Sequence, residues 1–278
     1  MANKRILVIG GSGYIGQDIV SRFVKSKFQV DILSRNPKNI LGVRSIKGDV
    51  LNKYLLKSII HDYEIIIYLA AIVRTIRKSR YKKNIRGLKN TITVLRNNGL
   101  KKIIYFSTQN IHIKNTGPYG NSKKECERLI KSSNLDYIII RPNYVYKIDK
   151  KNDFYRLAKI MSNTMVCPLI GKGENKLQPV NSSDISNKVL DLVKSFKPHQ
   201  IIDISGKTTT TLNEVADYIK SKTGKKAIKI HLPIRLLKLI KIIIPFDIDG
   251  YTDDRIAKDN PVKCNSDFWK DLNNILRL

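Results

Sequence analysis

The sequence predicts an α/β fold, a doubly wound parallel sheet with a smaller C-terminal substrate-binding part. Short apolar runs alternate with stretches of helical periodicity, and a glycine-rich turn joins the first run to the first helical stretch. The chain has 278 residues, 42% of them hydrophobic, which is enough for a large core. We expect residues 1–150 to form the first domain and residues 151–278 the smaller part, interleaved with the same sheet.

The N-terminal turn carries the first functional signal. Ile6 to Ile9 form an apolar run that is too short for a helix, and Gly10, Gly13 and Gly16 follow it. A strand, a glycine turn and a helix in this order aim backbone N–H groups and the positive end of a helix dipole at one point, which suits a dinucleotide pyrophosphate. The residues expected to hold the cofactor here are Gly10, Ser12, Gly13, Tyr14, Ile15 and Gly16.

The tip of the second predicted strand, Gln29 to Leu33, bears on the choice of cofactor. An acid at this tip binds the adenosine ribose, whereas an arginine accommodates a 2′-phosphate. Ser34 and Arg35 stand here, while Asp31 lies too early in the strand. The sequence therefore favours NADP(H) and leaves NAD(H) open. The alternative for Arg35 is a solvated charge in a loop, without a role in cofactor binding.

Two further strand ends are expected to contact the cofactor. Asp49 and Val50 follow the third predicted strand, where Asp49 is placed to meet the adenine amino group. Leu69, Ala70 and Ala71 follow the fourth, and small residues there allow the cofactor to lie across the strand ends.

The basic stretch after Ala71 is expected to border the ligand crevice. This stretch follows the carboxyl end of a central strand and contains Arg74, Arg77, Lys78 and Arg80. Their charge favours an anionic substrate such as a nucleoside diphosphate. A solvated basic loop is the alternative, because the whole chain is basic.

A tyrosine and a lysine provide a candidate acid/base pair. Tyr119 and Lys123 are four residues apart at the start of a predicted helix, so they share a face. A neighbouring ammonium lowers the cost of forming a phenolate, which can then exchange a proton with a substrate hydroxyl. Ser107 or Thr108, at the end of the preceding strand, would hold the same oxygen by a hydrogen bond.

Together these motifs resemble the extended short-chain dehydrogenase/reductase superfamily, the NAD-dependent epimerase/dehydratase group that acts on nucleotide sugars. The stretches that carry the resemblance are 10–16, 106–108, 119–123 and Arg141-Pro142, and it covers residues 5–195. It implies a Rossmann fold and hydride transfer catalysed by Thr108, Tyr119 and Lys123. It also implies Ser107 and Pro142 near the nicotinamide and Asn143 or Tyr144 near the sugar phosphates, in an epimerase, dehydratase or reductase.

Composition limits the other function classes. The net charge of +29 suggests nucleic acid, but lysine is spread over the chain and no nucleic-acid-binding motif accompanies it, so we expect no specific nucleic-acid partner. The three cysteines lie far apart, without metal or disulfide spacing, which predicts no metal site and a reducing compartment such as the cytoplasm. No apolar run is long enough to span a bilayer.

The C-terminal part offers an alternative function. Leu232 to Phe246 is apolar but carries Arg235, Lys238 and Lys241, so it forms either a basic helix for peripheral membrane contact or a helix packed on its own domain. Residues 259–262 resemble tails of the NADPH-binding accessory subunit of respiratory complex I. A non-catalytic accessory or assembly subunit therefore stays open, as does a homodimer.

Overall fold

The computed structural model describes residues 5–75, 77–114, 116–239 and 253–278. The strands are β1 (Arg5–Ile9), β2 (Gln29–Ser34), β3 (Arg44–Lys47), β4 (Ile65–Tyr68), β5 (Lys102–Phe106), β6 (Asp136–Pro142), β7 (Val145–Tyr146), β8 (Val166–Ile170), β9 (Val180–Asn181), β10 (Gln200–Gly206), β11 (Ile228–Leu232) and β12 (Val262–Cys264). The helices are α1 (Gly16–Lys25), α2 (Lys53–Ile59), α3 (Lys82–Asn97), α4 (Gly117–Lys131), α5 (Asp153–Thr164), α6 (Ser182–Lys194), α7 (Leu212–Thr223), α8 (Ile234–Leu239) and α9 (Phe268–Leu276).

Eight strands form one sheet in the order β12-β10-β6-β5-β4-β1-β2-β3. Every neighbouring pair in it runs parallel. Sequence order reverses direction between β1 and β4, which is where the crevice for a ligand opens in such sheets. The α/β prediction of a doubly wound parallel sheet is confirmed, and residues after 150 supply β10 and β12 to it.

Alternate residues of the central strands supply two separate cores. Ile6 and Val8 of β1 pack with α1 and α6 on one face. Leu7 and Ile9 pack on the other face with α2, α3 and α4. Because both faces are covered, the strands are continuously apolar, as the sequence of β1 shows.

A third core lies in the C-terminal part. Phe154 of α5 and Phe268 of α9 stack edge-on, with ring centroids 5.3 Å apart, and β8 and α7 complete this core. β8 pairs with β11 in a separate two-stranded sheet. The proline and glycines of Pro168 to Gly173 predict a turn, and this prediction is wrong for its first half, because Pro168 to Ile170 belong to β8.

Two helix starts also differ from the sequence patterns, which predict that α1 begins at Tyr14 and that Ser182 to Asp184 cap α6. α1 begins at Gly16, since Tyr14 and Ile15 still belong to the glycine turn. α6 is capped by Asn181, whose side chain accepts the Ser183 N–H, rather than by Ser182 to Asp184. Of the basic stretch Leu232 to Phe246, residues 234–239 form α8, and residues 240–246 lie outside the described part.

Candidate active site

A cavity of about 390 Å³ opens at the carboxyl ends of β1, β2 and β4. Ten of the predicted cofactor residues line it: Gly10, Ser12, Gly13, Ser34, Arg35, Asp49, Val50, Leu69, Ala70 and Ala71. The sequence therefore predicted half of the residues that form the wall, and the sheet brings these separate strand ends together. Tyr14 is 38% exposed, and Ile15 packs against the core. Ser107 follows β5, Tyr119 and Lys123 lie on α4, and Pro142 is the last residue of β6.

The glycine turn requires residues without side chains at two positions. Gly10 has a φ of +87°, and a Cβ there would lie 2.9 Å from the Ala70 nitrogen. A Cβ on Gly16 would lie 2.5 Å from the carbonyl oxygen of Gly10. A side chain at either position would collide with the protein backbone, so only glycine allows this tight turn between strand and helix, and the turn fits a dinucleotide pyrophosphate.

The adenosine end of the cavity is basic. Arg35 lines it, and Lys38, which the sequence patterns did not single out, lines it as well. The Lys38 ammonium donates to Gln17 Oε1 at 3.2 Å, and the Gln17 amide donates to the Ser12 carbonyl at 2.8 Å. This chain of contacts holds a second cation against the glycine turn. The sequence signal that could have identified Lys38 was its place as a basic residue three positions after Arg35.

The nearby carboxylates are already engaged. Asp31 is 9% exposed and accepts hydrogen bonds from Arg5 at 3.2 Å and from Tyr63 at 2.7 Å, so it faces away from the crevice, as its place in the strand predicted. Asp49 lines the cavity and accepts the Leu51 N–H at 2.9 Å. Ser12 and Ser34 share a hydrogen bond of 2.5 Å between their hydroxyls.

The candidate acid/base pair lies on the first turns of α4. Tyr119 is 8% exposed, and its ring centroid is 5.9 Å from that of Tyr81. The Lys123 ammonium is 3% exposed, donates to the Phe106 carbonyl at 2.6 Å, and lies 4.8 Å from the centre of the Tyr105 ring. Burial lowers the pKa of Lys123 to about 8, against the opposing effects of Cys126 and Glu127.

Hydroxyl groups at the end of β5 face the same region. Thr108 is partly exposed, and its hydroxyl accepts a weak bond from the Asn110 N–H at 3.3 Å. The Ser107 hydroxyl is buried and has no hydrogen-bond partner among the described residues. A buried hydroxyl without a partner at the end of a central strand is consistent with a ligand at this place.

Asn84 is a site residue that sequence reasoning missed. It is 6% exposed on α3 and lines the cavity. Its side chain accepts the Ile72 N–H at 2.7 Å, donates to the Ile72 carbonyl at 3.1 Å and donates to Ser122 at 3.3 Å. Asn84 thus joins the loop after β4 to the helix of Tyr119 and Lys123. An asparagine on the apolar face of α3 was the signal.

The predicted substrate residues meet at the start of α5. Arg74 donates to Asp153 at 2.8 Å, and the Tyr144 hydroxyl donates to the same Asp153 oxygen at 3.2 Å. Arg255 lies 5.6 Å above the Tyr144 ring. Asn143 is used differently: its amide donates to Gln109 at 2.6 Å and to the Arg255 carbonyl at 2.8 Å, and its oxygen accepts from Tyr144 and Gln178.

Arg141, directly before Pro142, is the centre of a buried ionic network. It is 4% exposed and makes two hydrogen bonds to Glu127, at 2.8 and 2.6 Å, and one to Asp259. Asp203 accepts from His112 at 3.0 Å. Burial raises the pKa of Asp203, but His112 and the N–H groups of residues 258 and 259 outweigh it and hold the pKa below its ordinary value.

Only one metal-like set occurs within the described residues. The ligand atoms of His112, Asp203 and Asp259 lie within 4.8 Å of one another. Arg141 contacts both carboxylates, so a cationic side chain already supplies the charge that a metal ion would bring. The described helices contain none long and apolar enough to cross a bilayer.

Known proteins resemble this chain over half of its length or more, apart from an assembly factor that matches just under half. An undecaprenyl-diphosphate-linked N-acetylglucosamine 4-epimerase of Escherichia coli O157:H7 is 21% identical over 259 residues, 84% of this chain and 77% of the relative. The UDP-glucose 4-epimerase of Thermus thermophilus, solved in complex with NAD, superposes with a TM-score of 0.72 at 16% identity and covers 98% of each chain. The photosystem II assembly factor Ycf39 of Cyanophora paradoxa is 28% identical over 141 residues, 49% of this chain and 44% of the relative.

A family model agrees with these similarities. The model of the NmrA-like family matches residues 2–253, which include the glycine turn, the candidate acid/base pair and most of the ionic network. Those relatives of this chain that are named as epimerases and dehydratases act, by their names, on nucleotide or lipid-linked sugars. The chain therefore belongs to the NmrA-like family, within the superfamily of NAD-dependent epimerases and dehydratases.

Proposed function

We propose that this protein is an NAD(P)-dependent oxidoreductase or epimerase that acts by hydride transfer on a nucleotide sugar or a similar hydroxy or keto substrate. The observation that carries the proposal is Lys123. Its ammonium is buried at the end of β5, one helical turn from Tyr119, and its pKa is lowered to about 8. Burying a cation costs stability, and packing alone does not explain it. A neighbouring phenol that must ionise does explain it, because the ammonium stabilises the phenolate.

The chain's own residues would act on a single substrate oxygen. Tyr119 would take the hydroxyl proton or return it, and Lys123 would stabilise the phenolate that forms. Thr108 would hold the same oxygen by a hydrogen bond. The Ser107 hydroxyl, which no described residue contacts by a hydrogen bond, would face the nicotinamide together with Pro142. When bound, the nicotinamide supplies hydride acceptance and return at the substrate carbon.

The predicted substrate residues support an anionic or sugar group. Arg74 and Tyr144 both donate to Asp153, and Arg255 lies over the Tyr144 ring. A diphosphate would compete with Asp153 for Arg74, so binding would exchange one ion pair for another. Asn143, whose side chain is used by four protein groups, would position Tyr144 rather than contact substrate.

Tyr119→Phe tests the catalytic assignment. The variant lacks only the hydroxyl, so we expect kcat to fall by at least about 100-fold while cofactor affinity changes less than about twofold. Turnover of UDP-glucose and of related keto sugars would be followed by absorbance at the nicotinamide band and by product chromatography. Tyr54→Phe, at a residue 88% exposed on α2, is the matched control. Activity retained in Tyr119→Phe would refute the acid/base role.

We further propose that the site prefers NADP(H), because Arg35 and Lys38 form a basic pair where a 2′-phosphate would lie. Arg35→Ala and Lys38→Ala should each weaken NADPH binding by about tenfold and leave NADH binding unchanged. The measurement is calorimetric titration of emptied protein with both cofactors, after the nucleotide released on denaturation is identified by mass spectrometry. Equal losses for NADPH and NADH, or tightly held NAD, would contradict the preference.

A second candidate is a non-catalytic NADPH-binding accessory or assembly subunit. The similarity to Ycf39 and the use of Asp259 as an ionic anchor of the tail support it. It predicts co-purification with a membrane complex and no loss of cellular function in Tyr119→Phe, whereas the enzyme predicts the reverse. Buried, unpaired cysteines at 126, 167 and 264 support a reducing compartment such as the cytoplasm for either candidate.

A further inference from the structure

The two-stranded sheet of the C-terminal part has one covered face. β8 and β11 run parallel, with Ile228 opposite Val166 and Ile230 opposite Pro168. On one side Cys167 and Leu169 are buried against α7. On the same side Lys229 pairs with Asp217 of α7 at 2.6 Å, and His231 contacts Asn213 at 3.0 Å. Helix α7 therefore occupies this face.

Within the part of the chain that the structure describes, the opposite face is apolar and partly exposed. Strand alternation places six aliphatic side chains on it: Val166, Pro168, Ile170, Ile228, Ile230 and Leu232. Ile228 is 70% exposed and Ile230 44%, and Met165, directly before β8, is 56% exposed. We call this surface the β8–β11 face. A contiguous group of exposed aliphatic side chains marks an interaction surface in a water-soluble fold.

Basic residues predominate in the segment that contains β11, although Lys229 pairs with Asp217 on the covered face. Residues 220–235 contain six basic residues and no acidic one: Lys220, Lys222, Lys225, Lys226, Lys229 and Arg235. Lys225 and Lys226 are exposed directly before β11, and Lys172 follows β8. The aliphatic face is thus bordered by ammonium groups on flexible stems, which can reach past it to anionic groups while the stems stay on apolar surface.

We propose that the β8–β11 face docks on an anionic phospholipid bilayer. Aliphatic side chains would enter the acyl boundary, and the flanking lysines would contact lipid phosphates. A second copy of the chain would bring the same cations together, which opposes self-association. A nucleic acid would match the charge but would leave the aliphatic side chains without apolar contact, since none of the six side chains on this face is an aromatic ring for base stacking.

A local probe separates this docking from general adsorption of a basic protein. Ile230→Cys and the control Leu41→Cys, at a leucine 96% exposed on the large domain, would each be labelled with the environment-sensitive dye NBD. The native cysteines are buried, so the label is selective. Full-length protein would be mixed with phosphatidylcholine vesicles or with vesicles containing about one third phosphatidylglycerol.

We expect a several-fold rise and a blue shift of emission at position 230 on the anionic vesicles, and little change at position 41 or on neutral vesicles. Lys225→Gln/Lys226→Gln should weaken vesicle binding by roughly 30-fold, and the exposed pair Lys57→Gln/Lys89→Gln by much less. Equal responses at both labels would mean adsorption by bulk charge and would overturn the proposal. Two further results would overturn the proposal. Emission at position 230 that is already typical of an apolar environment without vesicles would mean that another segment of the chain covers the face. Emission that changes only with protein concentration would mean that a second copy covers it.

Discussion

At the scale of single residues, the site combines groups that cost stability with groups that exclude side chains. Lys123 is a buried ammonium whose hydrogen bond goes to a neutral carbonyl, and Ser107 is a buried hydroxyl without a partner among the described residues. Gly10 keeps a positive φ against the Ala70 backbone. The buried ammonium and the buried hydroxyl are both unfavourable in a protein selected only for folding, and the glycine is the residue that this backbone conformation requires. All three lie at the carboxyl ends of strands of the same sheet, which supports the proposed function.

Lys123→Met should therefore stabilise the folded protein while abolishing turnover. Below pH 8 the lysine is charged in both the folded and the unfolded state, and removing the burial cost, less one hydrogen bond, should raise the free energy of unfolding by about 2 kcal/mol. Between pH 8 and about 10, Lys123 is deprotonated in the folded wild type but still protonated in the unfolded chain. The free energy of unfolding of the wild type therefore rises over this range, and its difference from the variant becomes smaller. Urea unfolding at pH 7 and pH 10 measures both values, and a destabilised variant at pH 7 would show that Lys123 serves the fold.

At the scale of elements, the ionic network explains how the end of the chain joins the large sheet. Arg141 on β6 contacts Glu127 on α4 and Asp259 before β12, while Asp203 on β10 binds the N–H groups of residues 258 and 259. β12 is only three residues long, so its hydrogen bonds alone are few. The network thus fixes the strand that completes the sheet edge.

Arg141→Met should cost roughly 3–5 kcal/mol of stability, the effect of leaving a buried carboxylate unpaired, because Glu127 and Asp203 both lose their contact with this cation. Arg128→Met is the control, since its pair with Glu125 lies at the surface and should leave the unfolding midpoint nearly unchanged. Chemical denaturation of both variants makes the comparison. Similar losses would mean that the network contributes no more than an ordinary surface pair.

The same elements show what the sequence could and could not predict. The glycine turn, β1 to β6 and the acid/base pair depend on local patterns, and the fold class followed from them. The β8–β11 pair joins residues about 60 positions apart, and Pro168 made its first strand look like a turn. Asn84, Lys38 and Gln17 act through contacts with distant segments, so their place in the site becomes visible only in three dimensions.

At the scale of the whole molecule, excess positive charge is the dominant electrostatic feature. The chain has 52 basic and 23 acidic residues, and its lysines are spread along the whole sequence. Like charges repel one another in the compact state more than in the expanded chain. The fold therefore carries a repulsion that its local ion pairs relieve only in part.

Added salt should raise the thermal midpoint. Raising sodium chloride from about 0.02 M to about 0.3 M shortens the screening length to below ~10 Å, so we expect the midpoint to rise by several degrees. Choline chloride should act equally, because screening does not depend on the identity of the cation. Scanning calorimetry in both salts measures the effect. A falling midpoint would show that attractive ion pairs outweigh the repulsion.

The order of strands has a consequence for synthesis on the ribosome. The first 146 residues contain β1 to β6, which are contiguous in the sheet, and every later strand of that sheet adds beyond β6. The nucleotide cradle can thus assemble while the rest of the chain is still being translated. Until residues 200–206 emerge, β6 is a bare edge and Arg141 lacks two of its three carboxylates. The nascent chain passes through a stage in which one strand and one cation await the last part of the polypeptide.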